Sequence, residues 1–106
     1  MIRAEQKRGN ATVVQLEGPR LDAAVADSVK DSLKEIADRG EKHLIVDFSK
    51  IQFMDSSGLG ALVGSLKHMG PGGTLEIVHP CEAVLKVLRL TRMNKVFTVR
   101  EELPGS

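Results

Sequence analysis

Asp55-Ser56-Ser57-Gly58-Leu59-Gly60 places one carboxylate and two hydroxyls where a strand-and-loop segment gives way to a helix. A helix N-terminus has free backbone N–H groups and the positive end of the helix dipole, so it accommodates an anion. A serine held there can carry a phosphate without unfolding its surroundings, and so can act as a charge switch. The same residues have a plainer use, because Asp55 or Ser56 is a suitable N-cap. Capping alone is the commoner role, and it is compatible with phosphorylation. Nucleophilic catalysis is poorly supported. The Gly-x-Ser-x-Gly elbow is absent, and His68 follows Ser57 by eleven residues on one helix, about 17 Å at 1.5 Å per residue. His43 and His79 fall at strand ends, and nothing places them at this loop. Gly58, Gly60 and Gly64 are spaced G-x-G-x-x-x-G, one residue off the dinucleotide fingerprint and far from the preceding strand. A nucleotide-binding module is therefore a weak alternative.

The elements that must position this loop are readable from period and punctuation. Residues 2–8 and 11–16 flank Gly9-Asn10 and predict an N-terminal hairpin that Gly18-Pro19 ends. Asp22 is a good N-cap for the next helix. Val25, Val29, Leu33 and Ile36 form its apolar face, and Gly40 stops it. Its charged side, with Asp31 near Lys34 and Glu35 near Arg39, reads as a solvated surface. His43 to Phe48 is a short, nearly continuous apolar run, as in a central strand covered on both faces. Residues 50–56 link it to a helix at about 57–69, ended by Gly70-Pro71-Gly72-Gly73. Thr74 to Val78 is another strand. Pro80 opens a third helix with Val84, Leu85 and Leu88 on one face, and Lys95 to Val99 is the last strand. The order β-β-α-β-α-β-α-β predicts an α/β fold, with a mixed but mostly parallel sheet, an N-terminal β-hairpin and helices packed on it.

On the helix after the loop, Leu59, Leu62, Val63 and Leu66 share one side and should face the sheet. Ser57, Gly60, Ala61 and Gly64 make a stripe of very small side chains on the other side, which should be exposed. A glycine inside a helix costs roughly 0.5–1 kcal/mol relative to alanine, so two on an outer face need a reason. Close approach by a partner is one; relief of crowding within the same domain is the other.

Composition narrows the function. The chain has 106 residues, 42% of them hydrophobic, which fits one small domain. With 15 basic and 14 acidic residues its net charge is +1, giving no electrostatic reason to bind nucleic acid or an acidic membrane. Phe48, Phe53 and Phe97 are the aromatic residues, too few for a base-stacking platform. Cys81 has no cysteine partner and no ligand neighbours at zinc spacing, so it is expected to be a buried, reduced thiol, with no metal site. The N-terminal residues lack the apolar core of a signal peptide, and no apolar run is long enough to span a bilayer. A cytoplasmic location is expected. The tail from Arg100 to Ser106, with Pro104 and Gly105, is expected to fray.

Ile45-Val46-Asp47-Phe48 followed by Phe53-Met54-Asp55-Ser56-Ser57-Gly58-Leu59-Gly60 resembles the STAS domain, specifically bacterial anti-sigma factor antagonists (anti-anti-sigma factors). Leu16-Glu17-Gly18-Pro19-Arg20-Leu21-Asp22 is similar to that family's strand, glycine and Leu-Asp segment. Gly72 to Ile77 is similar to its Gly-Gly turn and following strand, and Leu85 to Thr91 to its third helix. The resemblance implies one STAS domain over residues 1–100, with 101–106 as a tail. It implies that the unphosphorylated chain binds an anti-sigma factor, usually a serine kinase of the histidine-kinase-like ATPase fold, and so frees a sigma factor or another client. The kinase then phosphorylates the serine after the aspartate, Ser56 here, and the complex separates; a metal-dependent serine phosphatase resets the switch. Asp22 and Asp55 match acidic positions near the family's binding surface, and Ser57, Gly58, Gly60, Ala61 and Gly64 complete the expected partner contact. The chain would be a substrate, not an enzyme, and would need no cofactor, since ATP and magnesium belong to the kinase. The alternative the resemblance leaves open is a STAS adaptor or scaffold without phosphotransfer.

Overall fold

A computed structural model describes residues 2–101. Strands β1 (Ile2–Arg8) and β2 (Ala11–Leu16) form the expected antiparallel hairpin around Gly9, whose φ of +61° suits a residue without a Cβ. After β3 (Arg20–Leu21), α1 (Ala23–Asp38) opens with Asp22 as N-cap, its Oδ1 accepting from the Ala24 amide at 3.1 Å. Then follow β4 (His43–Asp47), β5 (Phe53–Met54), α2 (Ser56–Met69), β6 (Thr74–Val78), α3 (Glu82–Leu90), a 3₁₀ turn (Met93–Lys95) and β7 (Thr98–Arg100).

The main sheet has five strands in the order β1-β2-β4-β6-β7; β1 is antiparallel to β2, and every other pair is parallel. From β2 onward each new strand adds on the same side. Right-handed crossovers repeated in one direction put all their helices on one face. The core reflects that: Val14, Leu16, Leu44, Val46, Leu75 and Ile77 of the sheet pack with Val29 and Leu33 of α1, Leu59 and Leu62 of α2, and Val84 and Leu88 of α3. Fully burying each such side chain contributes about 1.5–3 kcal/mol. The alternate residues Ala11, Val13, Ile45 and Val78 form a smaller buried cluster on the other face, so β4 is covered on both sides as expected.

Several expectations need correction. Residues 50–56 are more than a link, because Phe53–Met54 pairs in parallel with Arg20–Leu21 as a separate two-stranded sheet. The last strand begins at Thr98, since Met93–Lys95 winds into a 3₁₀ turn that buries Phe97 and leaves Val96 exposed. Ala26 takes the central place on α1 and Val25 sits at its edge. In α3 the buried residues are Val84 and Leu88, and its N-cap is Cys81. Cys81 is only half-buried, its Sγ lying 3.7 Å from the Gln52 carbonyl oxygen. Arg39 pairs across to Glu5 of β1 at 2.9 Å. Of the expected tail, residues 102–106 lie outside the described residues.

Candidate functional site

The small β3–β5 sheet aligns the starts of two helices. Its register is Arg20 to Phe53 and Leu21 to Met54, so the next residues, Asp22 and Asp55, come abreast. Each of those aspartates is an N-cap, of α1 and α2 respectively. The Gln52 amide donates to the Pro19 carbonyl at 2.7 Å and the Asp55 amide to the Leu21 carbonyl at 3.3 Å, tying the segments that lead into α1 and α2 together. Two positive helix ends therefore point out of the same patch.

Of the two capping candidates, Asp55 takes the role. Its Oδ1 accepts from the Gly58 amide at 3.0 Å, while its carbonyl accepts from the Leu59 amide. That leaves the hydroxyls of Ser56 and Ser57 free of capping duty, on the first turn of α2, with both residues exposed. They face different flanks. Ser56 lines a groove of about 400 Å³ with Leu59, Val63, Lys67 and Met93. Ser57 lines another, of about 470 Å³, with Ala23, Ala26 and Lys30 of α1. Gly60 borders both grooves, and a Cβ there would meet nothing within 4 Å.

The small-residue stripe does not stay together as an exposed surface. Gly58 is buried, and a Cβ there would lie 2.2 Å from the Leu21 carbonyl oxygen; it is glycine because β3 passes against it. Ala61, expected on the outside, is 4% exposed. It sits on the side of α2 that packs against α1, as does the neighbouring Ser65, whose hydroxyl donates back to the Ala61 carbonyl at 2.7 Å. Gly64 is half-exposed, with the Lys30 Cε 2.9 Å from where its Cβ would be, so the lysine stem lies across the helix. Crowding within the domain thus accounts for Gly58 and Ala61, and of the glycines within α2 only Gly60 lies over open space. Val63 and Leu66 pack at the margin of the core.

The charges around the patch are organised by one cation that sequence reading did not single out. Arg20 donates from Nε to Asp22 Oδ2 at 2.9 Å, and its guanidinium lies over the Phe53 ring at 4.3 Å from the centroid. The hydrogen bond from Arg20 holds the Asp22 carboxyl below its ordinary value. Phe53 is 38% exposed, high for a phenylalanine, and the guanidinium caps it. The signal for this cluster lay in period-2 alternation across the two short strands, which is invisible until their pairing is known. Among the described residues two histidines have partners elsewhere: His68 pairs with Asp38 at 2.7 Å, and His43 with Glu76 on the sheet face away from the helices. Among the described residues no group of His, Cys, Asp or Glu could hold a metal ion, and no helix is long and apolar enough to cross a membrane.

A fold of this order, with two exposed serines after the Asp55 cap at the start of its second helix, defines a small α/β class, and comparison identifies it. The STAS domain family model matches residues 2–104. The chain is 33% identical over 100 residues to an anti-sigma F factor antagonist of Paenibacillus polymyxa, covering 92% of this chain and 81% of that protein. The chain belongs to the STAS domain family. The structure of an anti-sigma factor antagonist from Mycobacterium paratuberculosis superposes with a TM-score of 0.86 at 20% identity, over 97% of this chain and 86% of the other. The Bacillus cell fate determinant SpoIIAA in its phosphorylated form superposes with a TM-score of 0.70 at 21% identity, over 93% and 90% of the two chains.

Proposed function

We propose that this protein is an anti-sigma factor antagonist switched by phosphorylation of Ser56. In its unmodified form it binds an anti-sigma factor that is also a serine kinase of the histidine-kinase-like ATPase fold, and the sigma factor or other client is released. Transfer of the γ-phosphoryl group of ATP to Ser56 Oγ then ends the complex, and a metal-dependent phosphatase restores the hydroxyl. The observation that carries this is the state of Ser56: exposed, first in α2, spared from capping by Asp55 and bordering an open groove. The name of the Paenibacillus relative supports the antagonist role, and a relative of the same fold that has been solved in phosphorylated form supports the switch. The partner contact is assigned to Asp22, Asp55, Ser57, Gly60 and Gly64, with Gly58 and Ala61 behind that surface. Gly60 offers direct backbone approach, and the buried Gly58 and Ala61 act by setting how closely α2 lies to β3 and α1.

The site explains how a phosphate can act without refolding the chain. A phosphoserine carries about −1.5 to −2 charges at neutral pH, and at a helix N-terminus that charge is tolerated or mildly stabilising. In a closed interface beside Asp55 it is a charge stripped of water, and that desolvation costs several kcal/mol of binding. Phosphopeptide mapping of protein isolated from its native cells tests the assignment, together with capture of partners on a Ser56→Ala bait. Phosphate on Ser56 and retention of an ATPase-fold kinase are expected. Modification confined to Ser57, or undiminished in Ser56→Ala, contradicts the assignment.

A further inference from the structure

Arg20, Asp22, Phe53 and Asp55 occupy the four corners of one outward face. Arg20 and Asp22 are joined by a hydrogen bond, the extended backbone of the Asp22 and Asp55 caps carries the strand direction one residue past β3 and β5, and the parallel register sets Arg20 beside Phe53. Arg20 is the cation of this face, and it is poised rather than locked. Its side chain is 58% exposed, it shares a single hydrogen bond with Asp22, and it lies over an aromatic ring that offers no hydrogen-bond acceptor. Asp22 does not depend on it to cap α1, since the cap uses the other carboxylate oxygen. Phosphorylation of the residue after Asp55 would bring a dianion to a patch already holding two carboxylates. A guanidinium binds a phosphate dianion in a forked, charge-assisted geometry stronger than its bond to one carboxylate oxygen.

We propose that Arg20 is the phosphate clamp of the switch: on phosphorylation its guanidinium leaves Asp22 and engages the phosphoryl oxygens on Ser56. This rests on Ser56 as the acceptor. The exchange has two effects at once. It orders the phosphate in the middle of the partner-facing patch, and it strips Asp22 and the Phe53 ring of their cation, so the surface the partner meets changes in shape and charge beyond the phosphoserine itself. Arg20 makes and breaks no covalent bond; it positions the phosphate that the kinase has already transferred.

The test uses the full chain with phosphoserine placed at position 56 by genetic encoding, so that failure of the clamp is separate from failure of a kinase to choose Ser56. Phosphorus NMR titration reads the second ionisation of the phosphate. In Arg20→Gln it should move up toward its ordinary value of about 6, with Lys67 of the Ser56 groove present in both chains. In the native sequence it should be lower by about one unit, because a neighbouring cation favours the dianion. Arg20→Lys should recover part of that shift, which a purely structural role for Arg20 would not produce. Since Arg20 is exposed, the variants should fold, as circular dichroism would show. On the unmutated chain, the Arg20 Nε–H resonance should move on phosphorylation and follow the same titration. An identical phosphate ionisation in the native and Arg20→Gln chains, or an unmoved Nε–H resonance, overturns the proposal.

Discussion

Gly58 and Gly60 stand two residues apart on one helix, and a single methyl group should separate them. At Gly58 the new Cβ would lie 2.2 Å from the Leu21 carbonyl oxygen, a backbone atom that cannot swing away. Gly58→Ala should therefore cost about 1–3 kcal/mol or more through overpacking, seen as a lowered urea midpoint. At Gly60 the Cβ enters open space, and helix propensity predicts a gain of about 0.5–1 kcal/mol for Gly60→Ala. If the partner's backbone approaches there, Gly60→Gln should keep that folded stability but weaken kinase binding at least tenfold. Binding unimpaired in a folded Gly60→Gln chain would remove Gly60 from the interface. Gly64 is a less discriminating probe, because the obstacle to a side chain there is the flexible end of Lys30.

At the level of elements, the two helix starts are separable into capping and charge. Asp55→Ala should lose about 1 kcal/mol, whereas Asp55→Asn, an equally good cap without the charge, should melt within a few degrees of the native chain. A large loss in both would mean that the carboxylate's charge, rather than its capping, holds the turn. Most of the fold was legible in the chain because its long elements carry strong periods: the Val29-Leu33-Ile36 face of α1, the apolar run of β4 and the Gly9-Asn10 turn all stand where their patterns put them. What escaped were elements too short to have a period. Two residues, Arg20–Leu21 or Phe53–Met54, cannot show alternation, yet their pairing brings the two caps abreast. The 3₁₀ turn at Met93–Lys95 was hidden for the same reason, overlapping the expected strand from Lys95 to Val99 only at Lys95. The small-residue stripe was legible as a pattern but not as a surface, because whether Ala61 faces solvent or α1 depends on how two helices pack.

For the molecule as a whole, the one-directional strand order puts the helices on one face and leaves the other to side chains of the sheet itself. There Glu76, 4% exposed, is held by His43 and Arg100. Burial pushes its carboxyl up, but the hydrogen bonds from Arg100 and His43 outweigh it and hold it below the ordinary 4.5. A depressed folded value stabilises the fold above the unfolded value and is lost as pH falls through the folded one. Stability should thus decline with acid below about pH 4.5, and Glu76→Gln should flatten that decline while lowering stability at neutral pH; an unchanged acid limb in the variant would contradict it. This acid-sensitive cluster lies on the face away from Ser56, so neither device should disturb the other. The switch itself requires that a charge placed on Ser56 end binding without altering the fold. Titration calorimetry of the kinase partner against the chain with serine or phosphoserine at position 56, with melting curves of both, measures that directly. Melting temperatures should agree within a few degrees, and the phosphorylated chain should bind at least a hundredfold more weakly, a loss of about 3 kcal/mol. Equal affinities, or a loss of binding that comes only with unfolding, would contradict it.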